Sequence, residues 1–198
     1  MKARFLYGLL VIGMLFYTQN SIAQNPFKLL ERAEELSQKG KWEKALLKIE
    51  QAEGLSYCTC GLCAWEVNNQ ANRLRYHIHH TLKDYVAARN ALDAVEVMDP
   101  KSKEVDSLKI LCYQAELGPE FLATTIDAAL DRLEIVCDEN EEHCVVELPL
   151  DTKNSIQLNL TIVECVNYAF RDKTLVKAEW LASFKRSSLY ALIKNRAE

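Results

Sequence analysis

The sequence predicts an all-α fold of antiparallel helical hairpins stacked as a short solenoid, with a small β-hairpin near 144–162 as the alternative to a helix there. Two stretches carry the same spacing. Trp42, Ala45, Ile49 and Ala52, and again Tyr85, Ala88, Leu92 and Val95, set small or aliphatic residues three, four and three positions apart behind an aromatic. That interval is one face of a helix. Turn residues then fall where such helices should stop, at Gly40, Gly54, Pro100 and Gly118-Pro119.

Residues 1–23 read as an export signal outside the fold. Lys2 and Arg4 form a positive start, Phe5 through Tyr17 is apolar apart from glycine, and Ser21-Ile22-Ala23 supplies the small residues of a cleavage site before Gln24. An apolar run of about thirteen residues falls short of the ~20 needed to cross the hydrocarbon core, so no stable membrane span is expected after cleavage. No cysteine follows Ala23, so the lipoprotein pattern is absent. The expected location is exported, periplasmic or secreted, with 24–198 forming a single helical-repeat domain.

The mature elements follow in order. Pro26 to Leu36 is amphipathic, with proline suited to a first helical turn. Trp42 to about Ala52 forms its partner, with Ala45, Leu46, Ile49 and Ala52 facing inward. Ala64–Leu82 and Asp84–Val97 form a second hairpin closed by Pro100. Lys103–Leu117 and Glu120–Val136 form a third, with Leu122, Ile126, Ala129, Leu130 and Leu133 as its inner stripe. Beyond Asp138, Cys144 to Leu150 reads as extended. Ile156, Leu158 and Leu160 alternate like a strand, while Ile156, Leu160, Val163 and Phe170 fit a helix. A helix from about Asn154 to Arg171 is favoured, partnering a helix over Leu175–Asn195 in which Leu175, Ala178 and Ala182 echo the small-residue spacing.

The spacing of Gly40-Lys41-Trp42, Ala45, Ile49 and Ala52, and of Tyr85, Ala88, Leu92, Val95 and Pro100, resembles the second helix of a tetratricopeptide repeat (TPR). The likeness covers Leu29–Ala52 and Asn72–Pro100, about a third of the chain. Lys83 stands where the repeat usually has its turn glycine, and Asn72 where it has an early tryptophan. Trp42 and Tyr85 are 43 residues apart, against a usual repeat of about 34. The excess matches Leu55–Cys63, which reads as an inter-repeat insertion. The resemblance implies a protein or peptide partner held in a groove lined by the first helices. The groove positions are then Glu34, Ser37 and Gln38 in the first unit and Gln70, Arg73, His77, His80 and Thr81 in the second. Arg73, His77 and His80 share one helical face, a partly cationic strip suited to a peptide carboxylate. His79 falls on the packed side.

All seven cysteines lie beyond the signal, where an oxidising compartment favours disulfides. Cys137 and Cys144 bracket a short acidic loop whose closure is feasible. In the cluster Cys58, Cys60 and Cys63, a disulfide with one cysteine left over is the leading reading. A redox dithiol lacks its preceding strand, and a c-type haem would need histidine where Ala64 stands. Zinc would take three thiolates and an imidazole from His77, His79 or His80, a spacing that supports it weakly.

Without Lys2 and Arg4 the chain has 22 basic against 28 acidic residues. Such an acidic domain is a poor match for nucleic acid. No Gly-x-Ser-x-Gly, His-Glu-x-x-His or glycine-rich phosphate loop is present, so neither an enzyme nor a cofactor is expected. Asn159-Leu-Thr161 is a glycosylation sequon. The leading functional expectation is an exported TPR-like scaffold that binds a protein or peptide partner. The alternative is a periplasmic factor with a disulfide- or zinc-dependent site in the Cys58–Cys63 insertion.

Overall fold

The computed structural model describes residues 25–55, 61–95, 103–138, 144–160 and 162–195. The expected signal peptide, Cys58, Cys60, Pro100 and the sequon's Thr161 lie outside them. Between Leu74 and Arg75 the chain divides into two compact units.

In the first unit, α1 (Pro26–Gln38) packs against α2 (Trp42–Gly54). Asn25 caps α1, its Oδ1 accepting the Phe27 N–H at 2.9 Å, and Pro26 fills the first helical position. Leu29, Leu30 and Ala33 are buried on α1, and Ala45, Ile49 and Ala52 on α2, as the spacing predicts. Gly40 makes the turn at φ +68°, and the Lys41 N–H returns to the Leu36 carbonyl at 2.9 Å. The long helix α3 (Gly61–Thr81) begins in this unit and ends in the next.

In the second unit, α3 turns into α4 (Tyr85–Asp93) through Lys83, which adopts the left-handed φ of +61° that glycine would take without strain. Asp84 Oδ1 accepts the Ala87 N–H to cap α4, whose Ala88 and Leu92 are fully buried. Tyr76, Ala88, Leu92 and Val95 pack with Val105 and Cys112 of α5 (Glu104–Leu117). Gly118 at φ +92° leads to α6 (Pro119–Asp131), whose Leu122, Ile126, Ala129 and Leu130 are buried as expected.

The larger core lies between helices and a three-stranded antiparallel sheet, β1 (Glu134–Cys137), β2 (Cys144–Pro149) and β3 (Ser155–Asn159), in that spatial order. Val146 pairs with Leu158 and Leu148 with Ile156. These side chains form the buried face against Ile110 and Tyr113 of α5 and Leu122, Ile126 and Leu130 of α6. Asp151 organises the β2–β3 turn, its Oδ1 accepting the N–H groups of Lys153 at 2.7 Å and Asn154 at 2.8 Å. Three helices complete the unit, α7 (Ile162–Phe170), α8 (Lys173–Lys185) and α9 (Ser188–Lys194). α9 is held to α6 by Tyr190 Oη and Lys194 Nζ, which donate to Asp127 at 2.6 and 2.9 Å.

Three expectations are corrected. The helix expected over 154–171 is β3 followed by α7. As a strand, Ile156, Leu158 and Leu160 all reach the buried face, whereas a helix would turn Leu158 away, and each buried aliphatic contributes about 1.5–3 kcal/mol. The helix expected to reach Val136 stops at Asp131. Arg132 Nη2 there donates to the Pro149 carbonyl at 2.8 Å, and β-branched Ile135 and Val136 enter the sheet beside β2. The single helix expected over 175–195 is broken at Arg186-Ser187, where the Ser187 hydroxyl accepts the Tyr190 N–H to start α9. Leu175, Ala178 and Ala182 face solvent, and Val176 and Phe184 are the buried side chains of α8.

Candidate functional site

The second unit contains a cleft of about 360 Å³ walled by three elements. Arg89, Asn90 and Asp93 come from one face of α4, and Lys109, Tyr113, Glu116 and Leu117 recur at helical spacing on α5. The β2–β3 turn and β3 supply Lys153, Asn154, Ser155 and Gln157. Nearly every wall residue is polar, unlike the mainly apolar lining of most ligand pockets.

Its floor is Lys109, 1% exposed. A buried ammonium is costly unless paired and hydrogen-bonded. Here Nζ forms an ion pair with Asp93 and donates to Asn159 Oδ1 at 3.0 Å. Asp106, three residues earlier on α5, is buried 3.9 Å from Lys103 Nζ. Burial pushes the Asp106 carboxyl above its ordinary range, against the pull of Lys103, Lys109 and the donating Asn159 backbone N–H. Asn159, whose sequon suggests a surface role, therefore bridges two buried charges.

One wall repeats the pattern more openly. Arg89 forms an ion pair with Glu116 and lies 4.2 Å over the Tyr113 ring. Burial raises the Tyr113 hydroxyl pKa, opposed by the Gln157 N–H that it accepts at 3.2 Å. Nearby Cys112 is fully buried and its thiol is pushed up to about 11, chiefly by burial, which leaves it unreactive.

The expected groove residues are distributed over both units. Glu34 and Gln38 are exposed neighbours on α1, with Gln38 Nε2 donating to Glu34 Oε1 at 3.5 Å. Gln70 is exposed on the first unit's part of α3 and donates to Glu66 at 3.4 Å, with half-buried Arg73 one turn on. His77 and His80 belong to the second unit. His77 is exposed, while His80 is half-buried with its ring 5.6 Å from those of both Tyr76 and Tyr85. His79 is not a core residue. Its side chain is partly exposed, 3.8 Å from Asp84.

Cys137 and Cys144 stand opposite one another in the β1–β2 register and form a disulfide. Cys63 is half-buried near the start of α3, and its expected partners Cys58 and Cys60 lie outside the described residues. Among the described residues no group of three His, Cys, Asp or Glu side chains is arranged to hold a metal ion, and no helix is long and apolar enough to cross a membrane.

A second surface lies on α7. Val163 is 59% exposed, Val166 51% and Phe170 86%, at i, i+3 and i+7. Cys165 on the same helix is buried in the core. α7 thus has an apolar stripe beyond the side that the fold uses.

Sequence reasoning missed the cleft. A signal was present in Val105-Asp-Ser-Leu-Lys109-Ile-Leu-Cys112, where a lysine occupies the position between two inward-facing residues. It placed Val163 and Phe170 in a helical pattern without finding their exposed side. Neither a family model, nor a curated protein, nor a solved structure matches this chain.

Proposed function

We propose that the chain is an exported helical scaffold, with TPR-like hairpins, that binds a protein partner in the periplasm or outside the cell. The observation that supports this reading is the stripe Val163, Val166 and Phe170, three large apolar side chains open to water along one side of a nine-residue helix. Leu175, at the start of α8, is also half exposed, at 50%. Contiguous exposed apolar surface of this kind marks interaction sites, whereas scattered apolar residues do not. A convex helical ridge with anchors at this spacing fits an apolar groove in a partner. The surrounding charges are of both signs, with Arg171 donating to Glu179 at 3.0 and 2.9 Å, as in the polar rim of an interface.

The test is a photo-crosslinking phenylalanine analogue at position 170 of the full chain in the cells that produce it, with the same analogue at Lys44 as control. A discrete adduct at 170, lost when Val166→Asp is added, is the expected result. An adduct of twice the chain mass would make the partner a second copy. Absence of any adduct at 170 would remove this surface as the working one.

A further inference from the structure

We infer that the cleft between α4, α5 and the β2–β3 turn binds a small zwitterion, of amino-acid to dipeptide size, through separate sites for its carboxylate and its ammonium. The argument is independent of the partner surface on α7.

Charge bookkeeping within the cleft decides the ligand class. Arg89 is paired with Glu116 and Lys109 with Asp93. Lys153 makes no ion pair with a described residue and lines the cleft as an exposed cation. The residues that line the cleft therefore carry one surplus positive charge, with the Asp151 carboxylate of the same turn close enough to feel Lys153, in a chain whose net charge is −4. The paired carboxylates also keep accessible edges, since the Asp93 side chain is 46% exposed and that of Glu116 33% exposed. A carboxylate has about four lone-pair positions, and one cation does not use them all.

A simple anion such as phosphate would meet Lys153 but also face two carboxylates with nothing to offer them. A simple cation would meet the carboxylates and be repelled by Lys153. A zwitterion meets both. Its carboxylate is matched by Lys153 and by Ser155 beside it, and its ammonium by Asp93 and Glu116. The 360 Å³ volume lies at the small end of ligand sites, which run to roughly 300–1,000 Å³.

The walls are set before a ligand arrives. Asp151 pins the backbone N–H groups of Lys153 and Asn154. Lys109 joins α4 and α5 to β3 from below. Little ordering remains to oppose binding, which favours affinity from few contacts.

The experiment is a titration of the full chain, followed by backbone amide shifts, with L-alanine, L-alanyl-L-alanine, the N-acetyl dipeptide, the dipeptide amide and inorganic phosphate. Alanine or the free dipeptide is expected to shift the amides of residues 89–93 and 151–157, the tighter of the two defining the ligand size. Each blocked form is expected to bind roughly tenfold more weakly, the effect of losing one charged contact. Lys153→Glu should weaken the free form at least as much, and Lys44→Glu, on exposed α2, should leave it unchanged. Binding of phosphate or of a blocked form as tightly as the free dipeptide would overturn the inference. So would failure of both free ligands, or indifference to Lys153→Glu.

Discussion

Lys109 Nζ donates a 3.0 Å hydrogen bond to the side-chain oxygen of Asn159, a residue 50 positions further along the chain, while its charge is paired with Asp93 on the preceding helix. One ammonium thus ties α4, α5 and β3 together at the floor of the cleft. Being almost wholly buried, it stabilises the unit only while both partners are present.

The two ends of that pair should respond unequally to mutation. Lys109→Met keeps most of the buried stem and lets half-exposed Asp93 rehydrate, so it should cost about 1–3 kcal/mol, mainly through the orphaned Asn159 oxygen. Asp93→Ala strands a buried ammonium and should cost about 3–5 kcal/mol. Urea denaturation of both variants measures the order, and the reverse order would refute this account of the floor.

Asp106 should impose a pH dependence of unusual sign. Its folded pKa is raised above the ordinary 3.8, chiefly by burial. The group is therefore neutral in both states at low pH, and the folded state loses stability as pH rises from the unfolded value through the raised folded one. Asp106→Asn lacks that loss. The stability of the variant relative to the parent should climb as pH rises past the ordinary 3.8 in paired denaturation curves. A flat difference would mean that Lys103, Lys109 and the Asn159 N–H fully offset burial.

The two tight helical turns predict opposite outcomes for glycine. Lys83 at φ +61° carries the strain of a side chain in the left-handed region, so Lys83→Gly should stabilise by about 0.5–1 kcal/mol after the added freedom of the unfolded chain is counted. Gly40 at φ +68° should lose about 1 kcal/mol on replacement by alanine, although nothing lies within 4 Å of the added methyl group. Thermal melts of the two variants should shift in opposite directions.

The Cys137–Cys144 bridge spans a sequence separation of 7, and closing so short a loop should stabilise by about 2.5 kcal/mol. The double Cys137→Ala, Cys144→Ala variant should lose about that amount, and reductant should lower the melting temperature of the parent but not of the variant. Equal sensitivity of both to reductant would place the effect in another cysteine pair.

What the sequence by itself determined was whatever depends on neighbours within one or two turns. Ala45, Ile49 and Ala52, like Ala88 and Leu92, are buried where their spacing puts them, because an isolated amphipathic helix has only one face to hide. The Cys137–Cys144 pair was legible for the same reason, as its loop is short. Tertiary structure decided the rest. Ile156, Leu158 and Leu160 satisfy a helical and a strand reading alike, and only the pairing of Leu158 with Val146 and Ile156 with Leu148 selects the strand. Val163 and Phe170 have the period of a buried helix face, yet the core accepts Cys165 instead and leaves them in water. Lys109 becomes a buried cation because the fold brings Asp93, on the preceding helix, and Asn159, 50 positions further along the chain, within reach together. Periodicity shows that a residue has a side. Which side meets the core, and which partners make a buried charge tolerable, depend on long-range contacts that no local pattern encodes.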